Sequence, residues 1–175
     1  YNISLFSALI AHHGVEWFED YIVKLKANLS RKPQGNDRDQ VKAIYAGVCD
    51  VSIGNHYYYF KMMDDPNQII WLEKVSPIFP NQDSYGSHVN ISGIAIINNK
   101  NYDASIDFLE FLLSEEAQKI YANDNNEFPV NINVKASERV QALANNAKFD
   151  SIDLQEIASN RKAVLDILNK INFDG

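Results

Sequence analysis

A chain of 175 residues that is 46% hydrophobic can bury a core of its own, and its formal net charge of −7 argues against binding a nucleic-acid backbone, which demands a basic stripe. The nearest basic run, Lys24, Lys26, Arg31 and Lys32, is interrupted and followed by acidic residues, which is the pattern of a solvated helix end. No apolar run approaches the roughly 20 residues needed to cross a membrane, the first residues do not read as a signal peptide, and the single Cys49 has no internal disulfide partner.

In chain order, residues 3–13 and 15–28 carry apolar side chains at helical spacing, with a break at Gly14. Pro33 and Gly35 mark a loop, after which Asn36 or Asp37 can cap a helix that runs through Ala46 and stops at Gly47. An apolar strand is expected over 49–53, with Cys49 as a small buried thiol, followed by a turn at Gly54 and a short helix to about residue 64. Residues 69–79 read as extended, 80–86 as a loop and 89–97 as a strand rich in β-branched side chains. Two helices follow, over about 102–113 and from Ser114, whose hydroxyl suits an N-cap with Glu115 and Glu116 near the positive helix end. After a polar loop at 123–126 and an extended Phe128-Pro129-Val130, the remainder reads as helical, ending in an amphipathic segment near 161–171. This alternation of strands and helices makes the chain α/β, and it contains no internal repeat.

The chemistry gathers at 55–59, where Tyr57, Tyr58 and Tyr59 follow the end of the expected strand. In an open α/β sheet, ligands bind beyond the carboxyl ends of the strands. On a continuing strand Tyr57 and Tyr58 would point to opposite faces, whereas in the first turn of a helix they stand about 100° apart and two phenol oxygens can converge on one ion. The run is equally open to a packing reading, in which each hydroxyl finds a local hydrogen-bond partner. Asn55 can orient a ligand through its amide or simply serve the Gly-Asn turn. Arg38, near the start of the preceding helix, can offset phenolate charge or stand in solvent. His12 and His13 are adjacent on one helix and face different directions, which suits capping or packing. His56 is expected to point away from the tyrosine pair, and His88 to be a hinge or structural residue.

The segment Arg31-Lys32-Pro33-Gln34-Gly35-Asn36-Asp37-Arg38-Asp39-Gln40, then Ala46-Gly47-Val48-Cys49-Asp50-Val51-Ser52-Ile53-Gly54-Asn55-His56-Tyr57-Tyr58-Tyr59, resembles the ferric-iron-binding proteins, including the tyrosine-rich cyanobacterial type, that feed bacterial ABC transporters. The similarity continues through Phe79-Pro80-Asn81-Gln82, His88-Val89-Asn90-Ile91-Ser92-Gly93 and Phe108-Leu109-Glu110-Phe111-Leu112-Leu113-Ser114-Glu115-Glu116-Ala117-Gln118, so that nearly the whole chain takes part, in the family's order. The resemblance implies a periplasmic-binding-protein type II fold, mainly its second lobe with hinge crossings and C-terminal helices. Residues 1–88 would be the second lobe, incomplete at its start; 89–134 a hinge crossing and elements packing on the first lobe; and 135–175 the C-terminal helices. One crossing is expected at Val89-Asn90-Ile91-Ser92 and a return at 128–134, with the helices over 102–121 against a first lobe.

The same resemblance implies Fe(III) held between two lobes by Tyr57 and Tyr58 and by an upstream tyrosine, which falls on Tyr1 of Tyr1-Asn2-Ile3-Ser4-Leu5, ahead of Ala11-His12-His13-Gly14. Asn55 and Arg38 would support these ligands. The implied partners are an inner-membrane ABC permease and the missing first lobe of the same protein, the implied location is the periplasm, and the implied state is a monomer. Such a carrier is not an enzyme. The residue types suit the ion: Fe(III) is a hard cation that prefers anionic oxygen, and its charge ionises a phenol whose reference pKa is about 10. Iron affinity is then coupled to proton release, and acid loosens the site. Two other readings use the same residues. One is a binding protein for another solute, such as a polyamine, thiamine or an anion, on the same fold. The other is an enzyme using Tyr57 or Tyr58 as general acid or base, for which the sequence offers no nucleophile with a partnered base and no phosphate-cradling glycine loop.

Overall fold

The computed structural model describes residues 1–97 and 100–175, and these divide into two compact units. The first comprises Tyr1–Asn36, Phe79–Asn90 and Ala147–Gly175; the second comprises Asp37–Ile78 and Ile91–Asn146. The chain therefore passes from one unit to the other more than once, and one passage falls between Asn90 and Ile91.

The first unit is built on α1 (Asn2–His13), α2 (Val15–Ala27) and a C-terminal helix, Leu154–Lys170, which is α8 in chain order. Its core follows directly from helical spacing. Phe6 and Ile10 lie one turn apart on α1, Phe18 and Ile22 one turn apart on α2, and Val164 and Ile167 on α8, and all six are buried in one cluster. Phe6 meets Phe18 at 5.6 Å between ring centroids and Phe173 edge-on at 6.2 Å. Gly14 separates α1 from α2 at φ 86°, a left-handed backbone that glycine adopts without penalty. Asp153 caps α8 by accepting the Gln155 amide at 2.7 Å. Lys26 Nζ donates to the carbonyls of Ile171 and Asn172 at 2.8 and 2.7 Å, tying the end of α2 to the residues after α8. The segments around 87 and 149 meet in a single parallel bridge, with the Ser87 amide donating to the Lys148 carbonyl and the Asp150 amide to the Ser87 carbonyl, both at 2.9 Å. Gly86 is required there: its φ is 95°, and a Cβ would lie 2.7 Å from the Lys148 carbonyl oxygen.

The second unit contains α3 (Asp37–Tyr45), α4 (His56–Met63), a 3₁₀ helix (Ile69–Lys74), α5 (Tyr102–Leu113), α6 (Glu115–Asp124) and α7 (Glu138–Leu143). Gly47, at φ 72°, ends α3 in a Schellman motif: the Gly47 amide donates to Ile44 and the Val48 amide to Ala43, each at 2.9 Å. Ser114 caps α6 as expected, its hydroxyl accepting the Ala117 amide at 3.3 Å. The buried Gln118 then uses both ends of its amide, donating to the Leu112 carbonyl at 2.8 Å and accepting the Val130 amide at 2.9 Å.

The expected strands differ from what is observed. Residues 49–53 and 89–97 are not helical, but neither joins a ladder, and among the described residues the only strand-like pairing is the Ser87–Phe149 bridge. β-Branched and apolar content favours extended backbone, yet a strand exists only through the hydrogen bonds of a neighbour. Cys49 is accordingly half-buried in a loop, not sealed in a strand. The extended reading over 69–79 is corrected over its first half. Asp65 opens a turn by accepting the Asn67 amide at 2.8 Å on its side chain and the Ile69 amide at 2.9 Å on its carbonyl, and this winds Ile69–Lys74 into the 3₁₀ helix. No helix among the described residues is long and apolar enough to cross a membrane.

Candidate functional site

The tyrosine run lies in the first turns of α4, and the approach to it is organised by Asp37 at the start of α3. Asp37 Oδ1 accepts the Asn55 backbone amide at 2.8 Å and the Asn55 side-chain amide at 3.2 Å. Gly54 presses against the same carboxylate, so that a Cβ at position 54 would lie 3.3 Å from Asp37 Oδ1. Asn55 is extended at φ −84° and ψ 135°, and its carbonyl accepts the Tyr58 amide at 3.2 Å, which starts the helix immediately after the turn.

Tyr57 and Tyr58 therefore leave adjacent positions of one helical turn. Their rings lie 4.6 Å apart between centroids, tilted by 43°, and both are half-buried. Each has a cation beside it: the Arg38 guanidinium carbon is 6.0 Å from the Tyr58 ring centroid, and Lys61 Nζ, one turn along α4, is 5.9 Å from that of Tyr57. Phenols ionise to hard oxygen donors, and a guanidinium and an ammonium near the two rings are charges of the sign that would offset phenolates. Arg38 is half-buried beside the pair, not standing free in solvent. Tyr59 packs edge-on against the buried Phe60 at 5.8 Å.

His56 is turned to another task. Its Nε2–H donates to the Asn126 carbonyl at 2.8 Å, and its ring lies 5.0 Å from that of Phe128. Burial pushes its pKa below the ordinary histidine value, with the Asn126 carbonyl opposing that shift.

Tyr1 precedes α1 in the first unit, where its carbonyl accepts the amides of Ser4 and Leu5 at 3.1 and 3.2 Å and its side chain is largely exposed. The two histidines at the end of α1 are more engaged than a capping role implies. His12 Nε2 meets the buried carboxylate of Asp150 at 2.7 Å and its ring stacks on Tyr85 at 3.8 Å. His13 Nε2 lies 3.1 Å from the Tyr85 hydroxyl, and its ring stacks on Trp17 at 4.2 Å. Burial raises the Tyr85 pKa, and the charge of Asp150 adds to the effect. His88 pairs with Ser4 Oγ at 3.2 Å.

Of the residues singled out in the sequence, the structure gathers Tyr57, Tyr58 and Arg38 around one turn of α4 and sets Asn55 immediately before it. Asp37 and Lys61 also stand beside these residues, and the sequence does not single them out as site residues. Asp37 read as a helix cap, and Lys61 carries the one signal that could have found it, its i+4 spacing from Tyr57.

Comparison with known proteins adds four findings. A profile of the family described as bacterial extracellular solute-binding protein matches residues 20–148. The chain is 38% identical to iron uptake protein A2 of Synechocystis sp. over 99% of its own length and 51% of that protein's. Its fold superposes on the apo ferric ion-binding protein A of Pasteurella haemolytica with a TM-score of 0.95 and 45% identity, covering 100% of this chain and 55% of that one. It also superposes on the Trichodesmium protein IdiA (FutA) solved with iron and citrate, with a TM-score of 0.89 and 34% identity over 99% of this chain and 55% of that one. The fold is thus that of periplasmic binding proteins of type II, and the chain spans about half the length of these relatives.

Proposed function

This chain belongs to the bacterial extracellular solute-binding protein family, and on that premise we propose that it is part of a carrier that captures Fe(III) through the phenolates of Tyr57, Tyr58 and Tyr1 and hands it to an ABC permease in the inner membrane. The observation that carries this reading is the Tyr57–Tyr58 pair, two rings 4.6 Å apart on one helical turn with Arg38 and Lys61 beside them. Anionic oxygen is what a hard trivalent cation selects, and neighbouring cations limit the repulsion between two phenolates as the metal displaces their protons. Asn55, fixed by Asp37, sets the turn from which both tyrosines project. The similarity to iron uptake and ferric-binding proteins supports iron as the cargo over other solutes. The protein is a periplasmic carrier and not an enzyme in this reading, and it acts as a monomer.

A first lobe completes the cleft. The apolar surface of α5 supports this part: none of its residues is buried among those described, and Phe108 is 61% exposed. Ligation requires the phenols to lose their protons, so iron binding releases protons and weakens in acid. The test is an absorption spectrum of the full-length protein titrated with Fe(III). A visible phenolate-to-iron charge-transfer band, absent from the Tyr57→Phe/Tyr58→Phe double variant, is the expected result; iron binding without such a band rules the phenolate ligands out.

A further inference from the structure

The helix that carries the tyrosine pair is only eight residues long. A helix that short has little stability of its own, so its tilt and rotation are set by whatever holds it. Both ends of α4 are held by one stretch of chain, 126–139. At the N-terminal end, the Asn126 carbonyl can only accept, so His56 Nε2 is the donor of the 2.8 Å bond between them. At the C-terminal end, Asp64 follows the last helical residue and receives both terminal nitrogens of Arg139, at 2.8 and 2.7 Å.

Arg139 also joins the two ties to each other. Its Nε donates to Asn126 Oδ1 at 2.6 Å, and its guanidinium carbon lies 5.3 Å from the ring centroid of Phe60, which is buried on the inner face of α4. Asn126 at the junction is 1% exposed and has φ 59°, a left-handed conformation that asparagine adopts more readily than most residues. Arg139 thus spends its guanidinium on three directions at once: the end of α4, its inner face and the residue that holds its start.

We infer that Arg139, with Asn126 and Asp64, is a positioning device for the metal-binding phenols, fixing the rotation of α4 and so the direction in which Tyr57 and Tyr58 present their oxygens. Packing of the buried Phe60 and Met62 seats α4, and ties at both ends to one stretch of chain add direction: the helix cannot swing or turn without breaking a bidentate arginine–carboxylate pair whose geometry is specific. The pair itself is partly exposed, with side-chain exposures of 35% for Arg139 and 57% for Asp64, so its contribution to global stability is small. Arg139 holds the Asp64 carboxyl below the usual aspartate value, consistent with the close contact. Its effect is directed at geometry, which gives the inference a readout separate from folding. It rests on the phenolate reading proposed above.

The experiment uses the full-length protein and Fe(III) in competition with citrate, reading both affinity and the position of the visible charge-transfer band. Arg139→Ala is expected to weaken iron binding by roughly 10- to 100-fold and to move the band, with native circular dichroism. Arg139→Lys, which keeps the charge but loses the fork, should recover only part of the affinity, and Asp64→Asn should shift both readouts in the same direction. Lys162→Ala breaks an exposed pair with Asp166 on α8 and is the control expected to change neither. Unchanged affinity and an unmoved band in folded Arg139→Ala overturn the inference; should that variant not fold, the same result in Asp64→Asn overturns it. An unmodified protein that shows no band fails at the phenolate reading, whereas a band indifferent to Arg139 leaves that reading standing and removes only this one.

Discussion

The helical bundle of α1, α2 and α8 and the region around α4 both bury apolar side chains, and they differ in the polar ties added to that packing. In the bundle, Phe18, Ile22 and Val164 are wholly buried and meet through apolar contact, which is strong but has no preferred direction. In the region around α4, Met62 and Val140 are wholly buried as well and Phe60 nearly so, but three further buried residues are alanines, Ala43, Ala117 and Ala122, while Phe108, Val130 and Ile132 stay exposed. Directed ties are added to that packing: Asp37 to Asn55, His56 to Asn126 and Arg139 to Asp64. Apolar burial makes a scaffold, but the ligand pair proposed above has to be aimed, and hydrogen bonds are the interactions that carry direction.

Truncating the bundle core should show the larger stability effect. Phe18→Ala removes a fully buried ring and is expected to cost about 3–5 kcal/mol in denaturant unfolding of the full-length protein, with iron affinity of the folded fraction unchanged. A loss of iron affinity in that variant at low denaturant would break the division between scaffold and site.

The converse variants act on the site alone. Tyr57→Phe and Tyr58→Phe keep the half-buried rings and remove one oxygen each, so each should weaken Fe(III) binding by about 100-fold or more, roughly 2.7 kcal/mol, while stability moves by no more than about 0.5 kcal/mol. Tyr59→Phe is the comparison within the run, since Tyr59 packs on Phe60 and should leave affinity nearly unchanged. Chelator competition and circular dichroism on the three variants separate the roles. Equal losses at all three positions would contradict the assignment.

The smallest effect concerns a property that both regions share. Burial lowers the pKa of His88 in the first unit and of His56 in the second, each from an ordinary value of 6.5. In each case the unfolded chain binds the proton more readily than the folded one. Iron-free stability should therefore be unaffected by these groups above about pH 6.5 and should fall as the pH drops from there through the folded-state values. His88→Gln, which keeps a polar side chain beside Ser4 Oγ, should flatten part of the decline in thermal midpoint between pH 7.5 and 5.5 and leave the part due to His56. A slope unchanged by His88→Gln would assign the acid sensitivity elsewhere.

What the sequence by itself determined is local. The apolar spacing over 3–13 and 15–28 located α1 and α2, Gly47 and Ser114 marked a helix end and a helix start, and the tyrosine run identified a helical turn with two adjacent phenols. Each of these signals lies within a few residues of the structure it specifies, where backbone preference and helical period act directly. The strands expected over 49–53 and 89–97 were beyond that range, because extended preference does not say whether a partner stands alongside. Tertiary structure alone decided which polar groups meet: Asn55 finds Asp37 across 18 residues, Arg139 finds Asp64 across 75, and His12 finds Asp150 across 138. No periodicity encodes such pairs, since each depends on the path of the whole intervening chain and on burial that makes an unpaired polar group costly.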